Sequence, residues 1–175
     1  MELEKNTIFK IIVTGSPKAG KTQFISSAGS LGASDQGVQT LSLSAGHTGI
    51  DFGEIRITPH AIIHLYGFSN PGILASFWKM LLGNCIGYIL LVDSSVSGNL
   101  EESLLLLESL KIYFDGPMVV AVTKPDLPGT LSLDFIREKL NLDPSIPLIK
   151  CVASDRESVK EVILTLLEMV YEVTV

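Results

Sequence analysis

The sequence predicts an α/β fold in which a mostly parallel sheet is covered by helices on both faces. Three observations carry that expectation. Apolar, β-branched runs alternate with helix-period stretches along nearly the whole chain. The runs are almost continuously hydrophobic, as parallel strands buried on both faces require. The first of them ends in a glycine-bearing loop that opens directly into a helix-compatible stretch.

The elements follow in order. Ile8–Thr14 reads as the first strand, and a helix starts at Lys21. Ala28 to Gly49 is a long irregular segment rich in Gly and Ser, and loops of that length in compact domains are usually functional or mobile. Asp51–Ile57 and Ala61–Tyr66 flank Thr58-Pro59-His60 and read as a hairpin. An apolar helical stretch follows Gly72, then the strand Ile86–Val92. Asn99 and Glu102 have capping-box spacing at the start of a leucine-rich helix before Phe114. Met118–Thr123 and Pro147–Cys151 are the last two strand runs, with a helix between them. In the final helix Val159, Val162, Ile163, Leu166, Leu167 and Val170 share one face, and Ser154 and Glu157 have the spacing of its capping box. The order is β-α-β-β-α-β-α-β-α-β-α, with no internal repeat or linker, so residues 1–175 are expected to form one domain.

Composition narrows the class. Hydrophobic residues make up 46% of 175, which excludes a disordered chain. Charged residues are only 18%, so some apolar surface is expected to be exposed or covered by a partner. A net charge of −6 argues against a general nucleic-acid binder, which needs a basic face. Cys85 and Cys151 stand outside any C-x-x-C pair and read as buried, reduced thiols. The apolar runs are too short for an integral membrane segment, and neither end carries a signal or lipidation pattern. A soluble, cytoplasmic protein is the expectation.

The stretch Gly15-Ser16-Pro17-Lys18-Ala19-Gly20-Lys21-Thr22 matches the phosphate-binding pattern G-x-x-x-x-G-K-[ST] in full. A loop around a polyphosphate aims several backbone N–H groups inward, which favours glycine where the chain turns tightly. The opening turn of the next helix, through Gln23, adds N–H donors and a positive dipole end. Lys21 is placed to neutralise the β- and γ-phosphates, and the Thr22 hydroxyl to ligate Mg²⁺. The plain alternative is a chance glycine-rich turn. The strand before it and the helix after it argue against that.

With its long loop, hairpin and later units, the chain resembles the Ras-like small GTPases. Thr123-Lys124-Pro125-Asp126 stands where that family carries [NT]-K-x-D. There the carboxylate pairs with the guanine edge and the lysine stem packs along the base. Adenine would leave Asp126 unpaired, which gives strong discrimination; the plain alternative is a turn residue between Pro125 and Pro128. Cys151-Val152-Ala153-Ser154 resembles the family's last base-contacting loop, with Ala153 at its backbone donor. Within the family, Asp51-Phe52-Gly53, Leu65-Tyr66 and Pro71-Gly72 are similar to motifs of a bacterial group that includes the gliding-polarity and conservon-type GTPases. The resemblance implies a Ras-like P-loop fold, a six-stranded sheet with one antiparallel strand, bound GTP or GDP with Mg²⁺, and a regulator of the roadblock type at the switch region.

Several positions depart from the family. Its D-x-x-G becomes Ser69-Asn70-Pro71-Gly72, so a carboxylate that holds Mg²⁺ through water is replaced by a neutral oxygen, while the Gly72 N–H stays available to the γ-phosphate. Ile73 replaces the glutamine that orients the attacking water. Pro17 stands where glycine is common, without an N–H and with φ fixed. Counting back from Asp51 puts His47 at the switch threonine, with Thr48 one position later. Either Thr48 serves through a register shift or the γ-phosphate and Mg²⁺ are contacted without it; Thr48 is the expected residue. Lys21, Thr48 and Gly72 are thus the expected groups at the γ-phosphate, and Thr22 and Thr48 the expected Mg²⁺ ligands. Asp93, at a strand end, reads as structural. His47, His60 and His64 do not make a metal site by spacing.

The leading expectation is a guanine-nucleotide switch with slow intrinsic hydrolysis. The alternative is a GTP- or GDP-binding interaction module that does not hydrolyse at a useful rate, which Ile73 favours. A small P-loop kinase or ATPase needs an arginine-bearing lid that this chain lacks the arginines to build.

Overall fold

The computed structural model describes residues 6–32, 50–68, 72, 81, 83–95 and 99–174. Strand β1 (Thr7–Gly15) leads through the loop into helix α1 (Lys21–Gly29), and β2 (Asp51–Thr58) and β3 (Ala61–Phe68) form the hairpin. Then follow β4 (Cys85–Asp93), α2 (Asn99–Tyr113), β5 (Met118–Thr123), α3 (Leu133–Lys139), β6 (Leu148–Cys151) and α4 (Arg156–Thr174). Of the apolar helix expected after Gly72, only Gly72 and Leu81 are described, both helical. Thr48, His47, Ser69, Asn70, Pro71 and Ile73 lie outside the described residues.

The six strands make one sheet in the order β2-β3-β1-β4-β5-β6. The pairs β1·β3, β1·β4, β4·β5 and β5·β6 are parallel, and only β2 runs against its neighbour. The α/β class and the single antiparallel strand are as expected from the sequence. Strand alternation sorts the core into two layers. Ile11, Val13, Ile89, Leu91, Val119 and Ala121 pack with Phe24 and Ile25 of α1 and with Val159, Val162 and Leu166 of α4. Ile12, Leu90, Val92, Val120 and Val122 face the other way, onto Leu106, Leu107 and Leu110 of α2 and Ile136 of α3. Both faces are therefore dry, which is why the central strands read as unbroken apolar runs.

Local details differ from the sequence reading in three places. β3 continues past Tyr66 to Phe68, because Gly67 pairs opposite Asp51. The last helix is capped by Asp155, not Ser154: the Asp155 carboxylate accepts from the Ser158 N–H at 2.9 Å. Asp155 itself is held in place by its N–H donating to the Val152 carbonyl. Cys151 is buried as expected, but Cys85 opens its strand half-buried; both are free, and burial raises each thiol to about 11. Among the described residues, no helix is long and apolar enough to cross a membrane.

Candidate functional site

Strand order reverses at β1, which has β3 on one side and β4 on the other. In open α/β sheets the crevice beyond the carboxyl ends of the strands at such a reversal is where ligands bind. The ends of β1, β4, β5 and β6 lie along that edge. Because β2 is antiparallel, its first residue, Asp51, lies there as well, opposite Gly67 near the end of β3.

The loop between β1 and α1 wraps tightly. Gly20 takes φ 98° and Lys18 φ 67°, both left-handed. For lysine this conformation costs on the order of 1 kcal/mol, and such strain gathers at ligand sites. Gly15 has no room for a side chain, since a Cβ there would stand 2.5 Å from the Leu91 carbonyl oxygen. The α1 N-terminus carries no side-chain cap and no acidic residue in its first turn. Lys21 is 5% exposed, and its ammonium donates to the carbonyls of Gly15 at 2.6 Å and Ser16 at 2.7 Å. Burial pulls its pKa down to about 8, against the opposing pull of the Asp51 and Glu102 carboxylates. The Ser16 hydroxyl is buried without a hydrogen-bond partner among the described residues.

A cleft of about 490 Å³ opens over this loop, lined by Lys18, Gly20, Lys21, Thr22, Gln23, Ser26 and Asp51. Its size is in the usual range for small-molecule sites. The Thr22 hydroxyl donates to Asp51 Oδ2 at 2.7 Å across it. A second hollow, of about 220 Å³, shares Gly20 and Gln23 with the first. Thr123, Lys124, Asp126 and Leu127 line it together with Ala19, Val152, Ala153 and Ser154.

The walls of that hollow are fastened to the loop. Thr123 Oγ1 donates to the Ala19 carbonyl at 2.7 Å, and Ser27 Oγ to the Ala153 carbonyl at 2.7 Å. Ser158 Oγ accepts from the Val152 N–H at 3.0 Å. Lys124, at φ 57°, sends its ammonium to Asp93 Oδ2 at 2.6 Å. Burial of Asp93 favours its neutral form, but hydrogen bonds from Lys124 and Ser95 outweigh this and lower its pKa. Asp93 therefore orients Lys124, a more specific task than strand-end structure. Asp126 is exposed at the rim.

Of the described site residues expected from the sequence, 18–23, Thr123, Lys124, Asp126 and 152–154 line the two hollows, Gly15 and Ser16 are buried, Pro17 is exposed, and Gly72 is not among the lining residues. Gly72 is helical and exposed. Sequence reasoning missed Asp51, Ser26 and Leu127 as lining residues. For Asp51 a signal existed: the first residue of an antiparallel strand lies at the sheet edge where parallel strands end. No protein-family model matches the chain, and no curated protein matches it significantly.

Proposed function

We propose that this chain is a guanine-nucleotide-binding switch with a Ras-like P-loop fold, taking GTP or GDP with Mg²⁺ and hydrolysing GTP slowly. The observation that carries the reading is the pair of hollows joined at Gly20 and Gln23, one bounded by a cationic loop and the other by Lys124 and Asp126. A nucleotide needs that division: a polar cradle for phosphates and a flat slot with an edge acceptor for the base.

The residues fit the ligand chemically. Left-handed Gly20, the uncapped start of α1 and buried Lys21 suit a polyphosphate. Lys21 would exchange its two carbonyl acceptors for phosphate oxygens. Thr22 would hold Mg²⁺, which when bound supplies positive charge to the β- and γ-phosphate oxygens. Asp126 would accept from the guanine edge, with Lys124 held along the ring by Asp93. Ile73 offers no hydrogen bond to an attacking water, which keeps intrinsic hydrolysis slow and favours a partner that completes the site. We assign that regulatory contact, of roadblock type by resemblance, to the apolar segment 72–83. The same isoleucine supports the second reading, a nucleotide-binding module without useful turnover.

Chromatography of the nucleotide released from freshly purified protein tests the base. GDP or GTP is expected, and adenine nucleotides in their place contradict the reading. Single-turnover hydrolysis then separates switch from module: a rate near 10⁻⁴ s⁻¹, roughly that of unassisted Ras, supports the first. A rate below detection supports the second.

A further inference from the structure

We infer that Asp51 is a protein ligand of the Mg²⁺ in this site, acting together with Thr22. The inference rests on the nucleotide-binding reading above and assigns to it a residue that the sequence motifs do not. Asp51 lines the phosphate-side cleft with Lys18, Lys21 and Thr22. A carboxylate facing a polyphosphate is electrostatically misplaced unless a cation lies between them. Among the described residues Asp51 makes no ion pair; its Oδ2 accepts only from Thr22 Oγ1, at 2.7 Å. Neighbouring oxygens in an octahedral Mg²⁺ shell stand about 2.9 Å apart, so these two atoms are already spaced as adjacent ligands.

The local structure is built to hold that carboxylate there. Asp51 opens the antiparallel strand, and its cross-strand partner is Gly67. A Cβ at Gly67 would come within 2.9 Å of Asp51 Cβ and 2.7 Å of Ile25 Cδ1, so only glycine leaves the aspartate its place beside α1. Glu54 and Asp93, the next two acidic residues along the chain, are otherwise engaged. Glu54 pairs with Arg56 at 3.1 Å, and Asp93 itself with Lys124. Ser69, at the family's Mg²⁺-linked aspartate, brings no charge. One carboxylate, one hydroxyl, phosphate oxygens and water make a set that Mg²⁺ favours.

Dissociation of a fluorescent GDP analogue, followed in excess Mg²⁺ and in EDTA, tests this on the intact protein and on Asp51→Asn. In the parent, Mg²⁺ slows release. In the variant most of that slowing is lost, on the order of tenfold or more, while release in EDTA is unchanged or slower because a repelling charge is gone. Mn²⁺ titration of the GDP complex by electron paramagnetic resonance gives a readout free of nucleotide kinetics, and Asp51→Asn must weaken Mn²⁺ to a similar degree. Retention of the full Mg²⁺ effect, or equal acceleration with and without metal, overturns the assignment. A parent that binds no guanine nucleotide overturns the functional reading itself, and this assignment with it.

Discussion

The hydroxyl of Thr123, at the end of β5, donates a 2.7 Å hydrogen bond to the carbonyl of Ala19 in the loop after β1. Two segments 104 residues apart are thereby locked in register, and both groups are buried. The bond fixes the distance between the loop proposed to hold phosphates and the tetrad proposed to read the base. Thr123→Val keeps the shape and removes the donor, leaving the Ala19 carbonyl without it. A loss of about 1–3 kcal/mol in urea unfolding is expected, with weaker nucleotide binding and no change in secondary structure by circular dichroism.

Much of this arrangement was legible in the chain. The unbroken runs at Ile86–Val92 and Met118–Thr123 marked buried parallel strands, and the spacing of Gly15, Gly20, Lys21 and Thr22 marked the loop. Long-range pairings were not legible. Nothing local in Ser27 or Ser158 announces a bond to the turn after β6, and Asp93 reads as a strand end until Lys124 is beside it. The helix cap moved from Ser154 to Asp155 because both residues suit the role and the turn geometry decides between them.

Gly15 tests the closeness of β1 and β4 below the loop. A methyl group there would stand 2.5 Å from the Leu91 carbonyl oxygen, which is backbone and cannot turn aside. Gly15→Ala should destabilise the fold by about 2 kcal/mol or more, seen as a lower urea midpoint. Gly129→Ala, where the same methyl meets open space, carries only the cost of its φ of 74° and should be milder.

Lys21 should make the proposed nucleotide binding proton-linked. Its free-protein pKa of about 8 lies below the ordinary 10.5 because burial penalises the charge, so the folded chain releases this proton before the unfolded chain does. That penalty is fully present below pH 8 and is relieved as pH rises from about 8 to 10.5. Relative to Lys21→Met, the parent should therefore gain stability across that window. Phosphates restore the charge, so GDP binding near pH 8.5 should take up protons, and at pH 6.5 it should not. Calorimetry in buffers of different ionisation enthalpy measures this.

Asp93 has the opposite sign. Burial pushes its pKa up, but hydrogen bonds from Lys124 and Ser95 together outweigh this and leave it lowered in the folded chain. The stability it contributes is complete above its unfolded pKa and is lost as pH falls through the lower, folded value. Thermal melts should show the parent losing stability below about pH 4 more steeply than Asp93→Asn, and the variant should be less stable at pH 7.

The measurement that bears most directly on the proposed function is competition for a fluorescent guanine nucleotide, with unlabelled GTP, GDP and ATP in the presence of Mg²⁺. GTP and GDP should displace it at low concentration, and ATP only at concentrations on the order of a hundredfold or more higher, because Asp126 would be left unpaired by adenine. Asp126→Asn should shift the preference toward xanthine nucleotides. Equal displacement by ATP and GTP, or preference unaltered by Asp126→Asn, would contradict the account.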